Sequence, residues 1–280
     1  MSALPKPLVL CADDYAQHAG VTQAVLALAD AGRLTATSAM VLSPRWPADA
    51  APLRERRGRI DVGLHLDFTS DFAIATGHGL PLGAAMRRAL LGGFDPAAAR
   101  TAIERQLDAF EAAWGAPPDH VDGHQHVQQF AGIRQPLVQL LARRYGTRAP
   151  WLRVSRAPVG QRTPKSRVIA TLGAGALQKI ATRAHLPCAS ALSGIYDFNG
   201  GQAGYAQRMA HWLAASPAGT LLMCHPGGPP ATGDGTDPIA GARQWEWAHL
   251  ASAAFAAQCA TAGVELVRGS ALYAPCPARP

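Results

Sequence analysis

Short apolar or β-branched runs alternate along this chain with longer Ala-, Leu- and Arg-rich segments whose apolar residues recur at helical spacing. That alternation is the mark of repeated βα units built on a parallel sheet. The runs that read as strands are Leu8–Ala12, Thr37–Leu42, Ile60–Leu66, His120–Gly123, Leu152–Val154, Gly194–Phe198, Thr220–Cys224 and Val264–Val267. Helical patterns cover Ala19–Ala31, Pro96–Trp114, Arg134–Tyr145, Arg167–Ala184, Gln202–Ala214 and Arg243–Ala262. Asp95 before Pro96 reads as a helix cap followed by a proline at the first helical position. Gly200–Gly204, Gly77–Gly93 and the Pro/Gly-rich stretch from His225 to Pro238 read as long loops. No fixed-period repeat and no linker divides the chain. The expectation is an α/β fold, a single-domain distorted (β/α) barrel over residues 1–280 with its core at about 8–268. In such a barrel the chemistry belongs at the carboxyl ends of the strands.

Composition removes several alternatives. A chain of 280 residues buries roughly three quarters of its unfolded surface and needs no disulfides to fold. No unbroken apolar run is long enough to span a bilayer, and with a strand-like run beginning at Leu8 no secretory leader is expected. Cys11, Cys188, Cys224, Cys259 and Cys276 are odd in number, far apart and without a CxxC pair. They form neither a disulfide framework nor a thiolate zinc site, so a cytoplasmic setting is expected. Lys and Arg number 26 against 19 Asp and Glu, a net charge of +7. The arginines, among them Arg54, Arg56, Arg57, Arg87, Arg88, Arg143 and Arg144, carry no interleaved aromatics, so solvated helix faces are expected rather than a nucleic-acid surface.

The residues just past each strand are more informative. Asp13 and Asp14 come after the first; adjacent residues on an extended chain point to opposite sides, so the two should have different roles. An Asx turn or helix cap is the plainer alternative. In the third strand His65 shares the inward face with Asp61, Gly63 and Asp67, although a satisfied core histidine is the commoner meaning of such a position. In DHVDGHQHV, Asp122, His124 and His126 share parity, so an extended segment would project all three to one side. His225 succeeds the strand Thr220–Cys224 and precedes Pro226, which also fits a simple turn. Two histidines and an aspartate are a common ligand set for a catalytic divalent metal with open positions. A second carboxylate and a separate histidine would complete a hydrolytic inventory. Asp13, Asp14, His65, His124 and His225 supply it from four strand ends.

CADDYAQHAGVTQAVLALADAGRLTATSAMVLSP, VGLHLDFT, DHVDGHQHV and LLMCHPGG, in this order and spacing, resemble the YdjC-like carbohydrate deacetylases, the ChbG/HpnK group. The resemblance runs from about Leu8 to Arg268. It implies a distorted (β/α) barrel related to polysaccharide deacetylases, and removal of an acetyl group from an N-acetylated sugar or sugar conjugate. By position it implies Asp14, His65 and His124 as metal ligands, Asp13 as general base and His225 as general acid. Arg153 would orient Asp13 or hold substrate, and Asp122 and His126 would support the ligands. The sequence departs from the family at ADDYA, where a glycine is usual after the aromatic residue, at Gln128 and at Asp67; Tyr15, Asp67 and Gln128 are expected to line or adjoin the pocket. The cofactor implied is one divalent ion: Zn2+, Mn2+ or Co2+ suit imidazole, and Mg2+ is associated with the family. A homodimer is a family-level expectation. Trp245 and Trp247 could stack on a sugar, though helical packing is the commoner use. The competing functions are a metal-dependent phosphoesterase, whose second metal Asp67, Asp122 and His126 would have to supply, and a carbohydrate-binding relative without catalysis.

Overall fold

The computed structural model describes residues 4–231 and 237–273. The first half runs β1 (Lys6–Tyr15), α1 (Ala19–Asp30), β2 (Ala36–Ala39), α2 (Trp46–Arg54), β3 (Asp61–Leu66), α3 (Asp71–Ala75), α4 (Leu82–Leu90), α5 (Pro96–Trp114), β4 (His120–Gly123) and α6 (Arg134–Tyr145). The second half runs β5 (Trp151–Arg153), α7 (Pro164–Thr171), α8 (Ala174–Arg183), β6 (Cys188–Ala189), β7 (Leu192–Ser193), α9 (Gly201–Ala215), β8 (Leu221–Cys224), α10 (Ala240–Leu250), α11 (Ala253–Thr261), β9 (Val264–Leu266) and α12 (Gly269–Leu272). Every ladder is parallel, in the order β6-β5-β4-β3-β2-β1-β8-β7, and β9 pairs with the start of β1. Among the described residues no ladder joins β6 to β7; the seam is bridged by Leu192 N donating to Arg156 O at 2.8 Å. The architecture is a nearly closed, distorted (β/α) barrel, as the alternation predicts.

The period of two along β1 builds the two sides of its wall. Leu8, Leu10 and Ala12 join the large cluster formed with the helices, whereas Val9 and Cys11 join the smaller one with Trp151, Leu192, Leu221 and Met223. The α5 boundaries are as read from sequence, with Asp95 accepting from Ala97 N at 2.9 Å. Several expectations fail for local reasons. The strand placed at Gly194–Phe198 lies two residues earlier, because Gly194 has φ 95° and sits against the Met223 carbonyl, where a Cβ would come within 2.2 Å. The neighbouring β6 is too short to show periodicity. Arg167–Ala184 is two helices, broken at Gly173 with φ 134°, and Arg243–Ala262 is two, the second capped by Ser252 accepting from Phe255 N. Gly200–Gly204 opens α9 instead of a long loop, and Gly77–Gly93 contains α4. Cys11, Cys188, Cys224 and Cys259 are free thiols; Cys276 and part of the expected loop to Pro238 lie outside the described residues.

Candidate active site

A cavity of about 750 Å3 opens where β1, β3, β4 and β8 end. Its floor begins with a defect in β1. Between Ala12 and Tyr15 this strand advances three residues while β2 advances two, from Thr37 to Ala39. The extra residue makes a bulge, and Asp14 takes a left-handed φ of 66°. A left-handed aspartate is uncommon and marks a conformation imposed by its surroundings. The bulge overrides strict alternation, so Asp13 and Asp14 both line the cavity.

His65, inward on β3 as expected, places Nε2 3.3 Å from Asp14 Oδ1, and its Nδ1 is 2.6 Å from Asp122 Oδ1. His124 places Nδ1 3.0 Å from the same Asp14 oxygen. Asp14, His65 and His124 thus converge, one donor atom from each lying within 4.8 Å of the others. The shared parity expected for Asp122, His124 and His126 does not extend that far. β4 ends at Gly123, and Gln125 and His126 come next in left-handed conformations with φ 54° and 65°. Gly123 is required there, because a Cβ would meet Gln128 N at 2.8 Å. Asp122 stays beneath the site, accepting from Ser38 Oγ at 2.5 Å, and His126 pairs with Ser155 Oγ at 3.0 Å.

Arg153, fully buried, grips Asp13 with both terminal nitrogens at 2.7 and 2.6 Å and reaches Asp122 Oδ2 at 2.5 Å. The planar fork fixes the Asp13 carboxylate. Across the floor, His225 Nε2 lies 3.9 Å from Asp13 Oδ2. Tyr15, Asp67 and Gln128 stand outside the cavity lining. The Tyr15 hydroxyl donates to Asp49 O, Asp67 accepts from Thr69 N and Ser70 N, and Gln128 donates to Arg153 O. Trp245 and Trp247 lie on α10, also away from the lining.

Two residues escaped the sequence reading. Arg243 Nη2 donates to Asp14 Oδ2 at 2.8 Å, and Glu246 Oε2 accepts from His225 N at 2.5 Å. Both are buried on α10, three positions apart and so on one helix face. A charged pair on the side that also carries Ala242, His249 and Leu250 was the available signal.

The electrostatics follow from these contacts. Burial alone would raise the Asp14 carboxyl, but Arg243 and the two imidazoles hold it well below the usual carboxylate range. Burial would lower His65; Asp122 and Asp14 outweigh it and push the imidazole up to about 10. His225 is likewise raised against burial, by Glu246 and Asp13. His126 is pulled down to about 3, chiefly by burial and then by Arg153.

The Asp14–His65–His124 set fits a divalent cation. Arg243 occupies Asp14 Oδ2 and leaves Oδ1 toward both imidazoles, while Asp122 holds the far nitrogen of His65, the usual support of a metal-bound histidine. Two other groups of convergent donors, Cys11–His120–Asp122 and Asp13–His65–Asp122, already have the Arg153 cation against their carboxylates.

A parallel barrel that opens such a carboxylate–imidazole set into a cavity, with an anchored Asp–His pair beside it, defines the class of protein. The chain belongs to the YdjC-like protein family, whose model matches residues 7–261. It is 30% identical to a human carbohydrate deacetylase over 92% of this chain and 88% of that one. It is 28% identical to a Serratia marcescens chitooligosaccharide deacetylase over 80% and 82%. In fold it is similar to an Enterococcus faecalis V583 protein named for cellobiose-phosphate cleavage, with TM-score 0.73, 17% identity and coverage of 96% and 99%.

Proposed function

We propose that this protein is a metal-dependent carbohydrate deacetylase that hydrolyses the acetamido group of an N-acetylated sugar or sugar conjugate. The observation that carries the reading is Asp14 Oδ1 standing 3.3 Å from His65 Nε2 and 3.0 Å from His124 Nδ1, beside an Asp13–His225 pair that belongs to neither imidazole contact. The names of the human and Serratia relatives supply the substrate class.

Asp14, His65 and His124 would hold one divalent ion, Zn2+ or Mg2+, with Mn2+ and Co2+ also compatible with this donor set. When bound, the ion supplies Lewis acidity, acidifying a water and polarising the acyl oxygen. Asp13, held in place by Arg153, accepts the water's proton as general base. His225 stands across from it with a raised proton affinity and delivers a proton to the departing amine nitrogen, so that an amide and a water become acetate and a free amino sugar. The cavity lining also includes the apolar side chains of Leu82, Met86, Val168, Leu172 and Ile195, which suits a conjugate bearing an apolar group. Among the described residues no helix is long and apolar enough to cross a membrane. In this reading its cellular form is a cytoplasmic homodimer.

The test is acetate release from N-acetylglucosamine oligomers and acetylated glycoconjugates by chelated protein reloaded with Zn2+, Mg2+ or Mn2+. Metal-dependent release with one ion per chain is the expected result. Two ions per chain with phosphate-ester hydrolysis would replace it with the phosphoesterase reading. Sugar binding without acetate release would leave a carbohydrate-binding protein.

A further inference from the structure

His126 lines the cavity, yet among the described residues it has no polar contact with Asp14, His65 or His124. Its one bonded nitrogen is defined by a chain of partners that reaches outward from β5. Gln128 Nε2 is 3.1 Å from the Arg153 carbonyl, which only accepts, so the amide nitrogen is the atom on that side. The same nitrogen donates its other hydrogen to Ser155 Oγ, also at 3.1 Å. Ser155 is fully buried, so its one hydrogen needs an acceptor; with Gln128 donating to Oγ, the acceptor within reach among the described residues is His126 Nδ1 at 3.0 Å. An Nδ1 that accepts puts the ring proton on Nε2. Among the described residues no protein group bonds Nε2, and it is not one of the buried polar atoms left without a partner, so it opens to the cavity.

We propose that His126 is a specificity-determining residue: a neutral imidazole locked by Ser155 and Gln128 as the Nε2–H tautomer, donating a hydrogen bond to an acceptor oxygen of the bound sugar. The identity of that ligand rests on the deacetylase reading; the tautomer does not. A donor to a non-reacting oxygen is felt equally in ground and transition states, so its loss raises KM and leaves kcat unchanged.

Long-range 15N–1H correlation spectra of the full chain, labelled at histidine, test the tautomer without any turnover. The expected result is an Nε2-protonated, Nδ1-unprotonated ring whose signals vanish in His126→Gln. An imidazolium, or a proton on Nδ1, overturns the proposal. Kinetics with diacetylated chitobiose test the donor. His126→Phe should raise KM about tenfold, the worth of one hydrogen bond, and His126→Gln, which retains an N–H, should recover part of it. Equal KM values in wild type and His126→Phe would overturn the substrate contact. Absence of acetate release from wild type on every acetylated sugar would instead count against the proposed activity, and the spectra would still decide the tautomer.

Discussion

Glu246 holds His225 from two sides: Oε2 accepts the main-chain N–H at 2.5 Å, while Oε1 lies 3.9 Å from Nδ1 and takes a hydrogen bond from Tyr196 at 2.6 Å. A histidine meant to give up a proton gains from a buried anion behind it, because the anion favours the protonated ring over the penalty of burial. Replacement by a neutral isostere keeps the shape and removes that charge. Glu246→Gln should therefore move the alkaline limb of the kcat profile to lower pH, with a loss of about tenfold or more at alkaline pH and little change below neutrality. A pH–rate series checks this; an unshifted limb would show that the carboxylate only anchors the loop.

Asp13 and Asp14 are neighbours in sequence with separate partners, Arg153 and Arg243. Asp13→Asn should retain one ion per chain and lose about 10²–10⁴-fold in acetate release, the typical worth of a general base. His124→Ala should lose both ion and activity. Metal analysis alongside turnover separates the two roles, and an Asp13→Asn enzyme of normal turnover would remove Asp13 from the mechanism.

The pH response of the cation-free protein has a defined sign. The His65 imidazole is raised from 6.5 to about 10, so the stability it contributes is complete below about 6.5 and is lost as pH climbs through about 10. A cation must displace that proton, so its affinity should rise by up to about tenfold per pH unit across the same window. Calorimetric titration in buffers of different ionisation enthalpy should register about one proton released per ion at neutral pH. Release of none would mean that His65 is already neutral.

Arg153 lies between Asp13 and Asp122 with no exposed surface. Arg153→Met leaves two buried carboxylates without their cation and should cost about 3–5 kcal/mol in urea unfolding at neutral pH. Arg153→Lys should recover only part of this, since an ammonium cannot match the two-pronged contact. A lysine variant as stable as wild type would show that charge alone is required.

The βα alternation and the chemistry-bearing residue types were legible because both are short-range properties. Leu8–Ala12 and Ile60–Leu66 show their period within a few residues, and Asp122, Gly123 and His124 stand together whatever the rest of the chain does. Reading failed where one residue's backbone or a distant element decides. Gly194 shifts β7, Gly173 splits a helix, and the turn after Gly123 sends His126 to Ser155 when simple parity would have kept it beside His124.

The order of amino acids alone dictated that this chain would wind strands and helices into a barrel and carry acids and imidazoles at strand ends, because hydrophobic period and residue type are written locally. It took the folded arrangement to turn a left-handed Asp14 into the same cavity as Asp13, and to close Arg243 and Glu246 of α10 on Asp14 and His225. Those outcomes depend on a bulge imposed by strand pairing and on a helix whose Arg243 docks on Asp14 229 residues away while its Glu246 reaches His225 21 residues away, neither of which leaves a periodic trace.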